Sequence, residues 1–166
     1  MRLRRATPDD YDEVGRVTVA AYDRFLGDGG PDTDYVKELA DAAPRDRDAE
    51  LWVAEDAGRV VGSVTVCPEG SLWRELARPG EGEFRMLAVD PGAQGRGVGQ
   101  ALLDLTVGRF RDLGASAVVL CSMKEMTGAH RLYERAGFRR DPQRDWSPAP
   151  GVDLLAYLLP LTEETR

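Results

Sequence analysis

One stretch of the sequence constrains the fold more than any other, because it joins a strand pattern, a glycine cluster and a helix pattern within residues 86–105. Its letters are MLAVDPGAQGRGVGQALLDL, with four glycines in the turn. Glycines let a backbone approach a phosphate closely, and free amides at a helix start attract anions. The stretch predicts a strand, a turn and a helix from Arg96 to Leu113. Either a pyrophosphate binds at this turn or the turn is tight and holds no ligand.

Two common nucleotide-binding motifs do not fit this turn. A P-loop requires a lysine directly after its last glycine, whereas the only two lysines are Lys37 and Lys124. The dinucleotide fingerprint requires a third glycine, which this sequence lacks at the required spacing. The sequence therefore argues against a nucleoside triphosphatase and against an NAD-dependent enzyme.

Hydrophobic periodicity predicts the elements around this unit. A strand over residues 1–6 precedes a helix that begins at a capping box of Thr7 and Asp10, and a second helix is predicted from Asp32 to Ala43. The remaining predicted elements are a hairpin over 51–67, a strand over 82–91, a buried strand over 117–123, a short helix over 128–136 and a strand over 153–159. This order predicts a mixed α/β fold in one domain, residues 1–166.

Composition and charge argue against several classes of function. The formal net charge of -7 argues against nucleic-acid binding, which uses clustered lysine and arginine. No apolar run approaches the roughly 20 residues of a membrane span, so we expect a cytoplasmic protein with no membrane partner. Cys67 and Cys121 lie in apolar, strand-like runs, and two cysteines with one histidine give no convincing metal site.

Three motifs in register resemble the GNAT N-acetyltransferases. The turn matches their motif Q/R-x-x-G-x-G/A with the letters QGRGVG at residues 94–99, and the strand RMLAVDP precedes it. The letters AHRLYERAGF at residues 129–138 match the second family signature, at a separation that accommodates one helix and one strand. The resemblance implies a mostly antiparallel sheet with splayed central strands, and an N-acetyltransferase that uses acetyl-CoA.

The resemblance also implies where acetyl-CoA binds. The pyrophosphate is expected on the turn and the pantetheine along the preceding strand, at Gln94, Gly95, Arg96, Gly97, Val98, Gly99 and Gln100, and at Leu87, Ala88 and Val89. Pantetheine amides need backbone partners, which splayed strands supply. A bulge would point the Leu87 amide at the thioester carbonyl as an oxyanion donor. His130 replaces an asparagine that contacts CoA in many relatives, so it is either a CoA contact or a surface histidine.

The implied reaction needs two proton-transfer groups. An amine with a pKa of about 10 is protonated at pH 7, so a base must act on it. By resemblance Glu83 is this base, directly or through a water; Glu81 is the nearest rival, and a solvated or paired Glu83 is the structural alternative. Tyr133 matches the family tyrosine that protonates or hydrogen-bonds the leaving CoA thiolate.

The acceptor is expected to be a small-molecule or peptide amine. Three loops mix aromatic and acidic residues in a combination that suits a cationic amine, although ordinary loop composition explains it too: Phe25, Tyr35, Trp73, Trp146, Asp28, Asp32 and Asp34. The alternatives are a non-catalytic acyl-CoA-binding or sensing module and a phosphate-binding protein outside the family. The joint presence of Glu83 and Tyr133 favours the enzyme. The sequence leaves open whether two copies form a homodimer.

Overall fold

The computed structural model describes residues 1–26 and 34–161. Within them no helix is long and apolar enough to cross a membrane. The helices and strands, in chain order, are β1 (Arg2–Arg5), α1 (Tyr11–Tyr22), α2 (Asp34–Ala40), α3 (Ala43–Asp48), β2 (Glu50–Asp56), β3 (Arg59–Cys67), β4 (Glu81–Val89), α4 (Val98–Asp112), β5 (Ala117–Met123), α5 (Thr127–Arg135), β6 (Arg139–Arg140), β7 (Trp146–Ala149) and β8 (Val152–Pro160).

The strands form one mixed sheet flanked by helices, which confirms the predicted fold class. Its order is β1-β2-β3-β4-β5-β8-β6, and β7 also pairs with β8. Neighbouring strands run antiparallel except β4 and β5, which run parallel. The parallel pair therefore lies in the middle of a mostly antiparallel sheet.

The parallel pair is joined only at one end. Glu81–Glu83 pair with residues 117–119, and among the described residues β4 continues to Val89 and β5 to Met123 without further pairing. The two strands splay apart beyond Glu83, which leaves the backbone of both strands accessible to an extended ligand. This opening positions the site described below.

Apolar side chains cover both faces of the sheet, because successive residues of a strand point to opposite sides. One cluster packs Leu102 and Phe110 of α4 against the sheet. The other packs Val14 and Val17 of α1 and Leu39 of α2 against the opposite face. The helices are thereby fixed on both sides of the splayed strands.

The capping box at the start of the first helix is confirmed. The Thr7 amide donates a hydrogen bond to the Asp10 carboxylate at 2.8 Å, and Arg4 of β1 donates to the same carboxylate at 2.7 and 2.9 Å. The hydrogen bond from Arg4 lowers the pKa of Asp10 to about 2. The cap thus ties α1 to the first strand.

The helix predicted from Asp32 to Ala43 differs in the structure. The described part contains two short helices, α2 and α3, and residues 32–33 lie outside the described residues. Helix α2 lies inside the predicted range and ends at Ala40, three residues before the predicted end. Helix α3 begins at Ala43 with Pro44 in its first turn, a position where the missing amide hydrogen costs nothing. The short strands β6 and β7 were not predicted either, because two and four residues carry little periodic signal.

The contact between α1 and α2 depends on a glycine. A Cβ atom at Gly15 would lie 2.2 Å from the carbonyl oxygen of Ala40, so Gly15→Ala should force the helices apart. We expect it to lower the free energy of unfolding by about 1–3 kcal/mol in urea denaturation.

Gly108→Ala is the matched control, since Gly108 also lies inside a helix but has no atom near its Cβ position. It should raise the free energy of unfolding by about 0.5–1 kcal/mol through helix propensity. Equal effects of the two substitutions would contradict the close approach.

Candidate active site

The glycine turn between β4 and α4 has the backbone that the sequence predicts. Gly95 and Gly97 have φ angles of +80° and +81°, a region that glycine adopts at no steric cost, and Gly97 caps α4. The segment 94–97 is exposed. The first amides of α4 lack intrahelical acceptors, so this end of the helix can bind an anion.

A groove of about 330 Å³ runs from the turn to α5. Most of the predicted cofactor residues line it: Leu87, Val89, Gln94, Gly95, Gly97, Val98, Gly99 and Gln100. Ala88 lies in the cluster on the opposite face of the sheet because strand residues alternate. Arg96 is directed to Asp56 and to the Gly92 carbonyl, each at 3.4 Å, and is not among the lining residues.

Two arginines add positive charge to this groove. Arg24, just after α1, and Arg135, at the end of α5, both line it. The Arg24 guanidinium lies 4.7 Å from the centre of the Phe25 ring. Sequence reasoning missed Arg24, because its segment is distant from the turn along the chain and carries no motif. The groove is suited to a ligand that carries phosphates.

A bulge in β4 lies where the resemblance implies one. Ser63 pairs with Ala88 and Thr65 with Arg85, so the residues 86–87 of β4 together oppose a single residue of β3. Met86 has a φ of +53°, which is uncommon for a residue with a side chain. A bulge leaves one residue out of the regular ladder. The predicted oxyanion donor, Leu87, follows directly.

A larger cavity of about 860 Å³ adjoins the groove. The two cavities share four lining residues: Phe25, Leu87, Met126 and Tyr133. The two residues predicted to act on the thioester, Leu87 and Tyr133, therefore lie at the junction of both cavities. A ligand in the groove and a second ligand in the larger cavity can meet there.

Tyr133 is held in an aromatic cluster. Its ring centre lies 5.9 Å from that of Phe84, 6.0 Å from that of Tyr157 and 6.1 Å from that of Phe138. Burial raises the pKa of the Tyr133 phenol above its ordinary value. The phenol therefore stays protonated near neutral pH and can donate a hydrogen bond at the junction.

Glu83 is fully buried and holds a loop. Its carboxylate accepts hydrogen bonds from the amides of Glu75 at 3.0 Å, Leu76 at 2.7 Å and Ala77 at 2.9 Å. It is not among the residues that line either cavity. These contacts are those of the paired-glutamate alternative, and the catalytic role of Glu83 stays a prediction.

Glu81, the rival base, is also engaged elsewhere. Arg144 donates to both of its carboxylate oxygens, at 2.6 and 2.8 Å, and this hydrogen bonding lowers the pKa of Glu81. Glu81 does not line either cavity. Glu81 therefore forms an ion pair with Arg144 outside both cavities, and its role as a base stays a prediction.

His130 turns away from the groove. Its Nε2 atom lies 3.1 Å from the Met123 carbonyl and 3.2 Å from the Ser122 hydroxyl, and its ring lies 5.4 Å from that of Tyr157. Burial lowers the pKa of the imidazole, which is only 9% exposed. The surface-histidine alternative is wrong, and a CoA contact of His130 stays a prediction that these packing contacts do not favour.

The residues of the predicted amine pocket lie only in part around one cavity, and the pocket stays a prediction. Phe25, Tyr35 and Trp146 line the larger cavity. Trp73 instead packs against the core and donates its indole hydrogen to the Pro44 carbonyl at 3.1 Å, and Asp34 is exposed and outside the lining. The remaining two residues of that prediction, Asp28 and Asp32, lie outside the described residues.

The carboxylates that do line the larger cavity are Glu38 and Glu75. Glu75 pairs with Arg85 at 2.5 Å, and the Arg85 guanidinium lies 5.3 Å from the centre of the Trp73 ring. Burial raises the pKa of Glu75, while Arg85 acts in the opposite direction. Sequence reasoning missed both carboxylates, because no motif marks α2 or the loop before β4.

Splayed central strands, a glycine turn at a helix start and a groove between them define a fold of the acetyltransferase class. Residues 18–138 match the model of the acetyltransferase (GNAT) family, and the chain belongs to this family. The resemblance noted in the sequence is therefore confirmed.

Individual relatives agree with this assignment. The chain is 38% identical over 134 residues to a mycothiol acetyltransferase of Cellulomonas flavigena, a match that covers 70% of this chain and 38% of the relative. It therefore spans about two fifths of that relative's length.

Solved structures share the fold. A GNAT-family acetyltransferase from Staphylococcus aureus Mu50 has a TM-score of 0.75 at 16% identity, covering 97% of this chain and 99% of that one. A GNAT-family acetyltransferase from Brucella melitensis, solved in complex with acetyl-CoA, has a TM-score of 0.63 at 24% identity and covers 99% of this chain and 90% of that one.

The contacts of Glu83 make a testable prediction about the loop. Glu83→Gln removes the charge that three amides share, so it should lower the free energy of unfolding by about 1–3 kcal/mol. Hydrogen exchange measured by mass spectrometry should speed up at residues 75–77.

Glu69→Gln is the control, because Glu69 accepts one hydrogen bond from the exposed Gly80 amide at 3.2 Å. It should change neither stability nor exchange at residues 75–77 to a comparable degree. Unchanged exchange in Glu83→Gln would show that these amides are not held by Glu83.

Proposed function

We propose that this protein is an N-acetyltransferase that moves the acetyl group of acetyl-CoA to a primary amine by direct attack in a ternary complex. The observation that carries the proposal is the junction at Leu87 and Tyr133, where the phosphate-suited groove meets the larger cavity. Membership of the GNAT family and the acetyl-CoA complex of the Brucella relative support it.

Acetyl-CoA is proposed to occupy the groove. Its pyrophosphate lies on the glycine turn that ends at Gly97, the N-cap of α4, where Arg24 and Arg135 add positive charge. Its pantetheine arm extends along β4 in the gap that β5 leaves, where Leu87 and Val89 line the groove. The thioester then reaches the junction.

The amine is proposed to displace CoA from the acetyl group directly. The amine nitrogen attacks the thioester carbonyl carbon, a C–N bond forms and the C–S bond breaks. The Leu87 amide donates a hydrogen bond to the developing oxyanion. The Tyr133 phenol donates to the departing CoA thiolate, and the proton lost by the amine passes to a carboxylate.

We assign the proton acceptor to Glu75 and a positioning role to Glu83. Glu75 lines the cavity that receives the amine, whereas the Glu83 carboxylate is occupied by the amides of the loop that carries Glu75. Burial raises the pKa of Glu75, which makes it a stronger base than an ordinary glutamate. Glu83 thus acts indirectly, by holding the loop that positions Glu75.

The first experiment measures release of free thiol from acetyl-CoA with a panel of amines. Release with an amine, and none without, is the expected result. Gly97→Asp should weaken CoA binding by at least about 10-fold, because an added carboxylate occupies the phosphate approach and repels it. Calorimetry measures the affinity.

Gly70→Asp is the control for backbone strain. Gly70 also has a positive φ, +91°, and lies outside both cavities, so its substitution should leave CoA affinity unchanged. Binding of acetyl-CoA without release of thiol for any amine would favour the non-catalytic acyl-CoA-binding module. Equal affinity of wild type and Gly97→Asp would place the phosphates elsewhere.

The second experiment separates the proton-transfer roles by pH. Glu75→Gln should lower kcat roughly 100- to 10,000-fold at pH 7, and the defect should shrink as alkaline pH deprotonates the amine without help. Tyr133→Phe should show a defect that persists over the alkaline range, because the thiolate needs a donor whatever the charge of the amine.

In the wild type, the acid limb of the kcat/KM profile should lie above the ordinary glutamate pKa, since the pKa of Glu75 is raised. Glu83→Gln should lower kcat by a similar factor at every pH, because it acts through the loop. Alkaline recovery in Glu83→Gln but not in Glu75→Gln would make Glu83 the base.

A further inference from the structure

The larger cavity carries a defined charge. Its charged lining residues in the described part of the chain are Glu38, Glu75 and Arg85, two carboxylates and one guanidinium. Burial raises the pKa of Cys121 to about 12, so this thiol is neutral near pH 7. The lining therefore holds one net negative charge.

The two carboxylates differ in their partners. Glu75 is compensated by Arg85 at 2.5 Å, and both side chains are mostly buried. Among the described residues, the Glu38 carboxylate has no hydrogen-bond or ion-pair partner, although Glu38 lines the same cavity from α2. The uncompensated charge is thus that of Glu38, and a partly desolvated carboxylate favours a cationic ligand.

Apart from Cys121 and Ser122, the rest of the described lining is apolar or aromatic. Tyr22, Phe25, Tyr35 and Trp146 surround the space together with aliphatic and methionine side chains. A cavity of about 860 Å³ is large enough for a drug-sized organic molecule. A second charge that is buried against these walls would lack a free counter-ion, since Glu75 and Arg85 are already paired with each other.

We propose that the acceptor is a monocationic primary amine with an apolar or aromatic body, and that Glu38 binds its ammonium group beside the Glu75–Arg85 pair. The inference rests on the proposed acetyl transfer and names the acceptor class of that site. Glu38 binds and orients the ammonium, and the aromatic walls bind the body of the molecule. The same cavity extends to the junction at Leu87 and Tyr133, where the nitrogen attacks the thioester once it has left Glu38 and lost its proton to Glu75.

The test compares four amines with the intact protein by thiol release. The amines are 2-phenylethylamine, L-phenylalanine, which adds a carboxylate to the same aromatic body, spermidine, which adds cations, and glucosamine, which has a polar body. The value of kcat/KM for 2-phenylethylamine should exceed each of the others by at least about 10-fold.

Glu38→Gln should raise the KM for 2-phenylethylamine about 10- to 100-fold, with kcat and the KM for acetyl-CoA little changed. Inhibition by the neutral analogue 2-phenylethanol should be equal in wild type and variant, because it lacks the charge that Glu38 binds. Asp34→Asn, the same charge change at an exposed position of the same helix outside the lining, is the control and should leave the KM unchanged.

The outcomes separate this inference from the proposed function. Equal turnover of L-phenylalanine, spermidine or glucosamine overturns the acceptor class and leaves acetyl transfer standing. Equal KM values in Glu38→Gln and Asp34→Asn overturn the role of Glu38. No thiol release with any amine overturns the acetyl transfer and, with it, this inference. Acetyl-CoA affinity and melting temperature report whether each variant is folded.

Discussion

The incomplete pairing of β4 with β5 is the constraint on which the rest of the structure depends. Backbone hydrogen bonds join the strands only where Glu81–Glu83 meet residues 117–119, and a bulge at Met86 distorts β4 further along. An unpaired stretch of strand in a protein interior needs another partner for its polar groups. The fold therefore keeps a slot open at its centre, and both cavities meet at Leu87 beside this slot.

The loop before β4 completes the site through a buried carboxylate. A buried charge is tolerated only where hydrogen bonds compensate the lost hydration, and Glu83 receives three of them from the amides at residues 75–77. The same bonds fix the loop as a wall of the larger cavity, with Glu75 facing inward and paired with Arg85. The position of this loop, and with it that of Glu75, is thus set by one residue of the central strand.

Local signals predicted much of this arrangement. The turn around Gly95 and Gly97, helix α4 and the capping box at Thr7 depend on neighbours in sequence, and the structure contains each of them. The second helix was predicted within about three residues of its end, because α2 ends at Ala40, and the separate short helix α3 that begins at Ala43 was not predicted. The lining residue Arg24 carried no local signal at all.

The sequence by itself determined the family, the mixed α/β sheet and the groove residues of the glycine turn, because these follow from glycine conformation, apolar periodicity and motif spacing within short segments. Only the tertiary structure decided which carboxylates line the larger cavity. Glu83 and Glu75 are close in sequence. The Glu83 carboxylate nevertheless accepts hydrogen bonds from backbone amides, whereas Glu75 lines the cavity. That difference arises because the loop before β4 folds back onto the strand, and sequence spacing does not encode how it folds back.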